Sequence, residues 1–199
     1  DVALSLVLRR WLDDSFSELV KKNITLLTAA RFTTNACYRF TPPFVAIIAK
    51  GFDISLSEIG IALTISELSG LLSPFIGRFV DRLSRRAAML LGLFGIGLGA
   101  LLSAISPNIF VFTLGVTLIS VTKSFFDLGM SGWISDHVPY EKRGRYIGIT
   151  EISWAFGLLI GVSLMGVVTA MSSWRAGFLV GVVGTAVSLA FIASRIKAE

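Results

Sequence analysis

Cysteine occurs once, as Cys37, and histidine once, as His137. One cysteine cannot build a disulfide framework, and these two side chains cannot form a metal cluster. No nucleophile–base set and no phosphate-binding loop is found, so neither an enzyme nor a cofactor is expected. Charge is also scarce: 16% of residues are charged, against about 25% in an ordinary soluble domain. The first twenty residues mix apolar side chains with Arg9, Arg10, Asp13 and Asp14, which is not the pattern of a cleavable signal. An initiator Met is missing as well, as expected of a processed, trimmed or partial chain.

What is present is apolar length. Of the 199 residues 54% are hydrophobic, and the mean hydropathy is +0.78. A bilayer core needs roughly 20 apolar helical residues. Six stretches qualify: 24–48, 57–77, 87–105, 109–132, 146–170 and 174–194. Short connections such as "ISPN" and "HVPYEKRG" force successive helices to alternate direction. Before them, Leu4, Leu8, Trp11, Leu12, Phe16 and Leu19 recur at helical spacing with charges opposite. This predicts an amphipathic surface helix over residues 1–22, leaving 23–199 as the membrane domain.

The net charge is +5. In a soluble protein that would point to nucleic acid. Here the cations stand between apolar segments and point to the membrane surface, with no nucleic-acid partner. If the amino terminus is inside, thirteen Lys and Arg fall on the inner side and two, Lys50 and Arg175, on the outer. The asymmetry predicts a multi-pass protein of a cell (plasma or inner) membrane with both termini cytoplasmic.

The inner turn between the second and third stretches reads "GRFVDRLSRR". Topology alone would need only Lys and Arg. Asp81 adds a carboxylate that can hold a guanidinium in a charge-assisted pair, and such a latch can differ between two conformations. Gly77, Asp81, Arg82, Arg85 and Arg86 resemble the signature of the major facilitator superfamily between spans two and three, with Ser84 in place of its second glycine. A second signature follows span four in "DHVPYEKRGRYIG", through Asp136, Pro139, Arg143, Gly144, Arg145 and Gly148. The stretches "KSFFD", "SDHVPYEKRGR" and "EISW" are also similar to prokaryotic efflux permeases of that superfamily.

The resemblance covers about residues 24–196. It implies an all-α membrane fold of six helices, built as two inverted three-helix repeats. It also implies a conformational charge relay centred on Asp81, Arg85 and Asp136, within a set that includes Gly77, Arg82, Arg86, Arg143 and Arg145. Gly148, Gly157 and Gly161 match part of the antiporter glycine pattern and lean toward efflux; Val162 and Met165 depart from it. Val116 stands where many proton-coupled members have an arginine, which weakens the case for that route of coupling.

Six ionisable residues fall inside the spans: Arg31, Arg39, Glu67, Lys123, Asp127 and Glu151. A charge at the bilayer centre costs about 2.5–3.5 kcal/mol on insertion scales, so these residues should face protein or water. Together with Asn35 they are the candidate substrate or ion cavity. Two readings stand open: they line a polar path for a small solute, with a proton as a candidate co-substrate, or they pair and lock helices together. Trp154 is expected to serve packing.

Superfamily transporters have two six-helix halves with the site between them. One half is present here. A half-transporter is therefore expected to work as a homodimer, beside a separate second half, or as part of a longer permease. The alternative is a membrane assembly subunit that keeps the fold. Small-residue faces on span two (Ser66, Ser69, Gly70, Ser73, Gly77), span three (Gly92, Gly95, Gly99) and span six (Gly177, Gly181, Gly184, Ser188) are candidates for packing or for the partner surface.

Overall fold

The computed structural model describes residues 18–196, and every regular element among these residues is a helix. Most of the expected surface helix lies outside the described residues. Residues 18–22 belong to the same continuous helix as the first span, α1 (Glu18–Arg39).

The first stretch departs most from expectation. Pro42 and Pro43 lack the N–H groups that would bond back to Tyr38 and Arg39, so the helix cannot run through them. α1 ends at Arg39, a single 3₁₀ turn spans Pro42–Phe44, and the chain resumes as α2 (Val45–Phe52).

The second span, Leu56–Val80, starts with a reciprocal cap. The Ser55 hydroxyl accepts from Glu58 N–H at 3.2 Å, and Ser55 N–H donates to the Glu58 carboxylate at 2.8 Å. The span comprises α3 (Leu56–Leu68), a 3₁₀ turn at Ser69–Leu72 and α4 (Ser73–Val80). Pro74 cannot donate to Gly70 O; the Ser73 hydroxyl bonds that carbonyl instead, at 2.5 Å.

Two long helices follow, α5 (Arg85–Ile105) and α6 (Ile109–His137). The fifth span is Tyr140–Met171: α7 (Tyr140–Phe156), a π turn at Gly157–Gly161 and α8 (Val162–Met171). The last helix is α9 (Trp174–Arg195).

Among the described residues five helical stretches are long and apolar enough to cross a membrane, where six were expected. α1 is long enough but too polar, because it carries Lys21, Lys22, Arg31, Asn35 and Arg39. The outward faces of the others are apolar, as lipid contact requires: Leu71, Phe75, Phe110 and Met171 are each more than 65% exposed.

Small residues decide which helices touch. A Cβ on Gly92 would come within 2.6 Å of Phe126 N, and one on Gly99 within 2.6 Å of Gly115 O, so α5 and α6 meet backbone to backbone. Gly181 meets Cys37 and Gly184 meets Thr33, which seats α9 on α1. The span-three and span-six faces are thus consumed within the bundle. On span two, Ser66 bonds Val116 O and Ser69 bonds Ser120, while Gly70 and Gly77 face open space.

The core has two large apolar clusters, besides a small one of Ile76, Val80 and Ala88. One joins Leu27, Met89, Phe126, Trp133, Tyr146 and Ile192. The other joins Phe40, Ile48, Ile96, Phe112, Trp174 and Phe178. On four helices the two large clusters are separated by a polar level: Arg31, Thr34 and Asn35 on α1, Ser120 to Ser124 on α6, Thr150 to Ser153 on α7, and Thr185 and Ser188 on α9. α5 passes between the clusters with only apolar residues and glycine from Met89 to Ala100.

Candidate functional site

The polar level is built by α1 facing α6 and α7. Positions 31, 35 and 39 share one stripe of α1 at i, i+4 spacing. Arg31 Nη1 lies 2.6 Å from Glu151 Oε1, and Arg31 Nε lies 3.6 Å from Asp127 Oδ1. Asp127 Oδ2 also holds Lys123 Nζ at 2.5 Å, one turn away on α6. Four of the six in-span charges therefore form one neutral chain, Glu151–Arg31–Asp127–Lys123, across three helices. Arg31 and Lys123 are 13% exposed and Glu151 54%.

Arg39 and Glu67 stay outside that chain. The Tyr38 hydroxyl sits 3.0 Å from each oxygen of Glu67. The Arg39 guanidinium lies over two rings, 5.1 Å from the centre of Tyr38 and 5.6 Å from that of Trp154. The Trp154 ring, 43% exposed, lies against the Arg39 guanidinium. Asn35 is buried, and neither its amide nitrogen nor its oxygen has a partner. A cavity of about 190 Å³ is lined by Tyr38, Glu67, Gly70, Ser120, Lys123, Ser124 and Asp127; Arg39, Trp154 and Asn35 are not among its lining residues.

The signature residues gather at one end. Arg85 Nε donates to Asp136 Oδ2 at 2.9 Å, joining the start of α5 to the end of α6. Arg86 Nη2 donates to Ala193 O at 2.6 Å, tying in α9. Arg143 covers the last carbonyls of α6, with Nη2 2.6 Å from Ser135 O and Nε 3.0 Å from Val138 O. Asp81, Arg82 and Arg145 are exposed and make no side-chain hydrogen bond or ion pair among the described residues. The expected three-member relay is here a single pair, Arg85–Asp136, with Asp81 apart. Gly77 meets nothing within 4 Å.

Sequence reading passed over Gly132. A Cβ there would come within 2.7 Å of Arg85 Nε, so the glycine makes room for the pair. We expect Gly132→Val to push Arg85 off Asp136. An exposed pair contributes at most about 1 kcal/mol, so stability should change little. A double-mutant cycle of Arg85→Gln and Asp136→Asn should show coupling in the parent and none in the Gly132→Val background. Equal coupling in both would refute the role given to Gly132.

Two unrelated sequence signatures thus meet on neighbouring helix ends, beside a polar level held between apolar clusters. The family model of the major facilitator superfamily matches residues 26–198. The chain belongs to this superfamily. It is therefore a multi-pass membrane protein and not an enzyme. Among similar proteins, the uncharacterized MFS-type transporter YwfA of Bacillus subtilis is 27% identical over 150 residues, 75% of this chain and 36% of YwfA. The vacuolar basic amino acid transporter 1 of Saccharomyces cerevisiae is 29% identical over 131 residues, 66% of this chain and 23% of that protein. The multidrug resistance protein MdtG of Enterobacter lignolyticus is 25% identical over 153 residues, 74% of this chain and 36% of MdtG. The chain thus spans between 23% and 36% of the length of these relatives.

Proposed function

We propose that this chain is one half of a secondary transporter that moves a small solute by alternating access. In this reading α1 to α9 form six membrane passages arranged as two inverted three-helix repeats. The first passage is the polar, proline-broken one. The membrane is a plasma or inner membrane, with the basic end and both termini on the cytoplasmic side. The second half is either another copy of the chain, related by a two-fold axis along the membrane normal, or the remainder of a longer permease.

The observation that carries the proposal is the polar level. A soluble bundle would gain nothing from charges placed midway between two apolar clusters. A solute path needs them at the depth where the two halves meet. The open glycines of span two, Gly70 and Gly77, and of α7, Gly144 and Gly148, leave surfaces that a second half would cover. Arg85 and Asp136 then form the conformational latch. Glu67 is the proton acceptor best placed in the cavity. The names of the relatives, amino acid and multidrug transporters, agree with a small solute as cargo.

The test is accumulation of labelled solutes in everted membrane vesicles carrying the chain. The panel is ethidium and a pool of amino acids. Flux should fall about tenfold or more in Glu67→Gln and Lys123→Met, the scale of a lost charge-assisted contact. Flux that ignores both substitutions counts against the reading. A well-folded chain that moves nothing and co-purifies with an unrelated protein points to the assembly-subunit role instead.

A further inference from the structure

The six charges of the polar level divide unequally. Arg31, Lys123, Asp127 and Glu151 neutralise one another. Arg39 and Glu67 remain, opposite in sign and without an ion pair among the described residues, and both touch Tyr38. Among the described residues Glu67 receives only the phenol. Among the same residues Arg39 has only the faces of Tyr38 and Trp154, and its Nε is buried without an acceptor. Ring faces hold a guanidinium in place but leave its N–H donors unused.

Asn35 supplies a separate observation. It lies one turn before Arg39 on the same stripe of α1 and is 1% exposed, yet both polar atoms of its amide lack a partner. Buried amides are normally bonded, and an orphan calls for an explanation such as an absent ligand atom. Opposite, the fifth span presents Glu151 to Arg31, Trp154 to Arg39 and, from its π turn, Gly157 to Asn35. The amide therefore sits between a cation paired with two carboxylates and one without an ion pair among the described residues, although Nε of each lacks a hydrogen-bond acceptor.

We propose that this site takes a zwitterionic solute of the amino-acid class. Its carboxylate rests on Arg39, with the Asn35 amide donating to the second oxygen. Its ammonium rests on Glu67, and the Tyr38 phenol spaces the two. A simple anion would leave Glu67 uncompensated, and a simple cation would leave Arg39 so. One molecule carrying both charges satisfies both without changing the net charge of the polar level. This assignment rests on the transport reading above for its place on the solute path.

The test is equilibrium binding to the whole purified chain in lipid nanodiscs, using three radiolabelled probes: an equimolar pool of the twenty L-amino acids, the same pool N-acetylated, and the same pool as α-amides. The free pool should bind about tenfold to a hundredfold more tightly than either derivative, since each derivative loses one charge-assisted contact. Arg39→Gln should erase the advantage over the amides, and Arg39→Lys should restore part of it. Glu67→Gln should erase the advantage over the N-acetyl pool. The three-pool comparison on the parent chain decides the matter even if a variant fails to fold. Equal binding of the free pool and either derivative, or no binding of any pool, overturns the assignment. A chain that moves a solute in vesicles yet treats the pools alike overturns this inference and leaves the transport reading standing. One that discriminates among the pools yet moves nothing does the reverse.

Discussion

Gly99→Val should separate α5 from α6 and cost about 3 kcal/mol or more. A Cβ at this position would lie 2.6 Å from Gly115 O and 3.0 Å from Ile119 N. These are backbone atoms of a neighbouring helix, so no rotamer change relieves the clash. Overpacking a tight core typically costs about 1–3 kcal/mol, and a valine at a backbone-to-backbone crossing belongs at the upper end. For a chain of this size that corresponds to a fall of about 6–12 °C in Tm, read by tryptophan fluorescence in detergent. Gly70→Val is the control, since a side chain there meets nothing within 4 Å. It should stay within about 0.5 kcal/mol of the parent. Equal losses in the two variants would show that the α5–α6 crossing is not the tight seam described here.

These two glycines also show what sequence can and cannot reveal. Both stand in spaced small-residue patterns, and pattern alone assigns neither to the bundle nor to an outer surface. Whether a small face is covered depends on how neighbouring helices cross, which is a tertiary fact. The apolar stretches were legible because lipid demands length, and five of the six expected spans are recovered with changes at their ends. The first stretch failed because hydropathy windows average over "TPPF", where two missing N–H groups outweigh the apolar neighbours. The six in-span charges were legible as outliers, but their division into a neutral chain and a leftover pair was not. Arg31 finds Glu151 120 positions away. Nothing local to either residue announces it, and the same is true of Trp154 beside Arg39.

Asp127→Asn should be the most damaging single change in the polar level. Asp127 is the anion shared by Arg31 and Lys123, and both cations are 13% exposed. Removing it leaves Lys123 with no anion and Arg31 with Glu151 alone. Breaking a buried pair from one side costs about 3–5 kcal/mol, because the remaining charge is stranded away from water. The lower end, about 3 kcal/mol, is expected here because Asp127 itself is 31% exposed. The double variant Lys123→Met with Asp127→Met removes one charge of each sign and leaves Arg31 with Glu151. It should recover most of the lost stability, since an apolar replacement of a buried pair is often neutral. Chemical or thermal unfolding of the three proteins gives the answer. A double variant as unstable as Asp127→Asn would mean that the carboxylate holds the helices by hydrogen bonding and not by charge balance.

The π turn at Gly157–Gly161 has a consequence for the angular phase of the fifth span. Six of its buried positions, Ile149, Ser153, Gly157, Gly161, Met165 and Thr169, stand four residues apart, with Tyr146, Thr150 and Val162 buried beside them. An α-helix turns by about 100° per residue, so a four-residue repeat drifts by about 40° at each step and would wind off its neighbours within a few turns. A π turn rotates less per residue because its hydrogen bonds reach one position further. It takes back much of the accumulated drift in the middle of the span. Gly161 can then meet Ala36 while Met165 still meets α9 above it. The turn acts as a phase corrector, and the span can gain or lose a residue there only by swinging one of its ends away from α1.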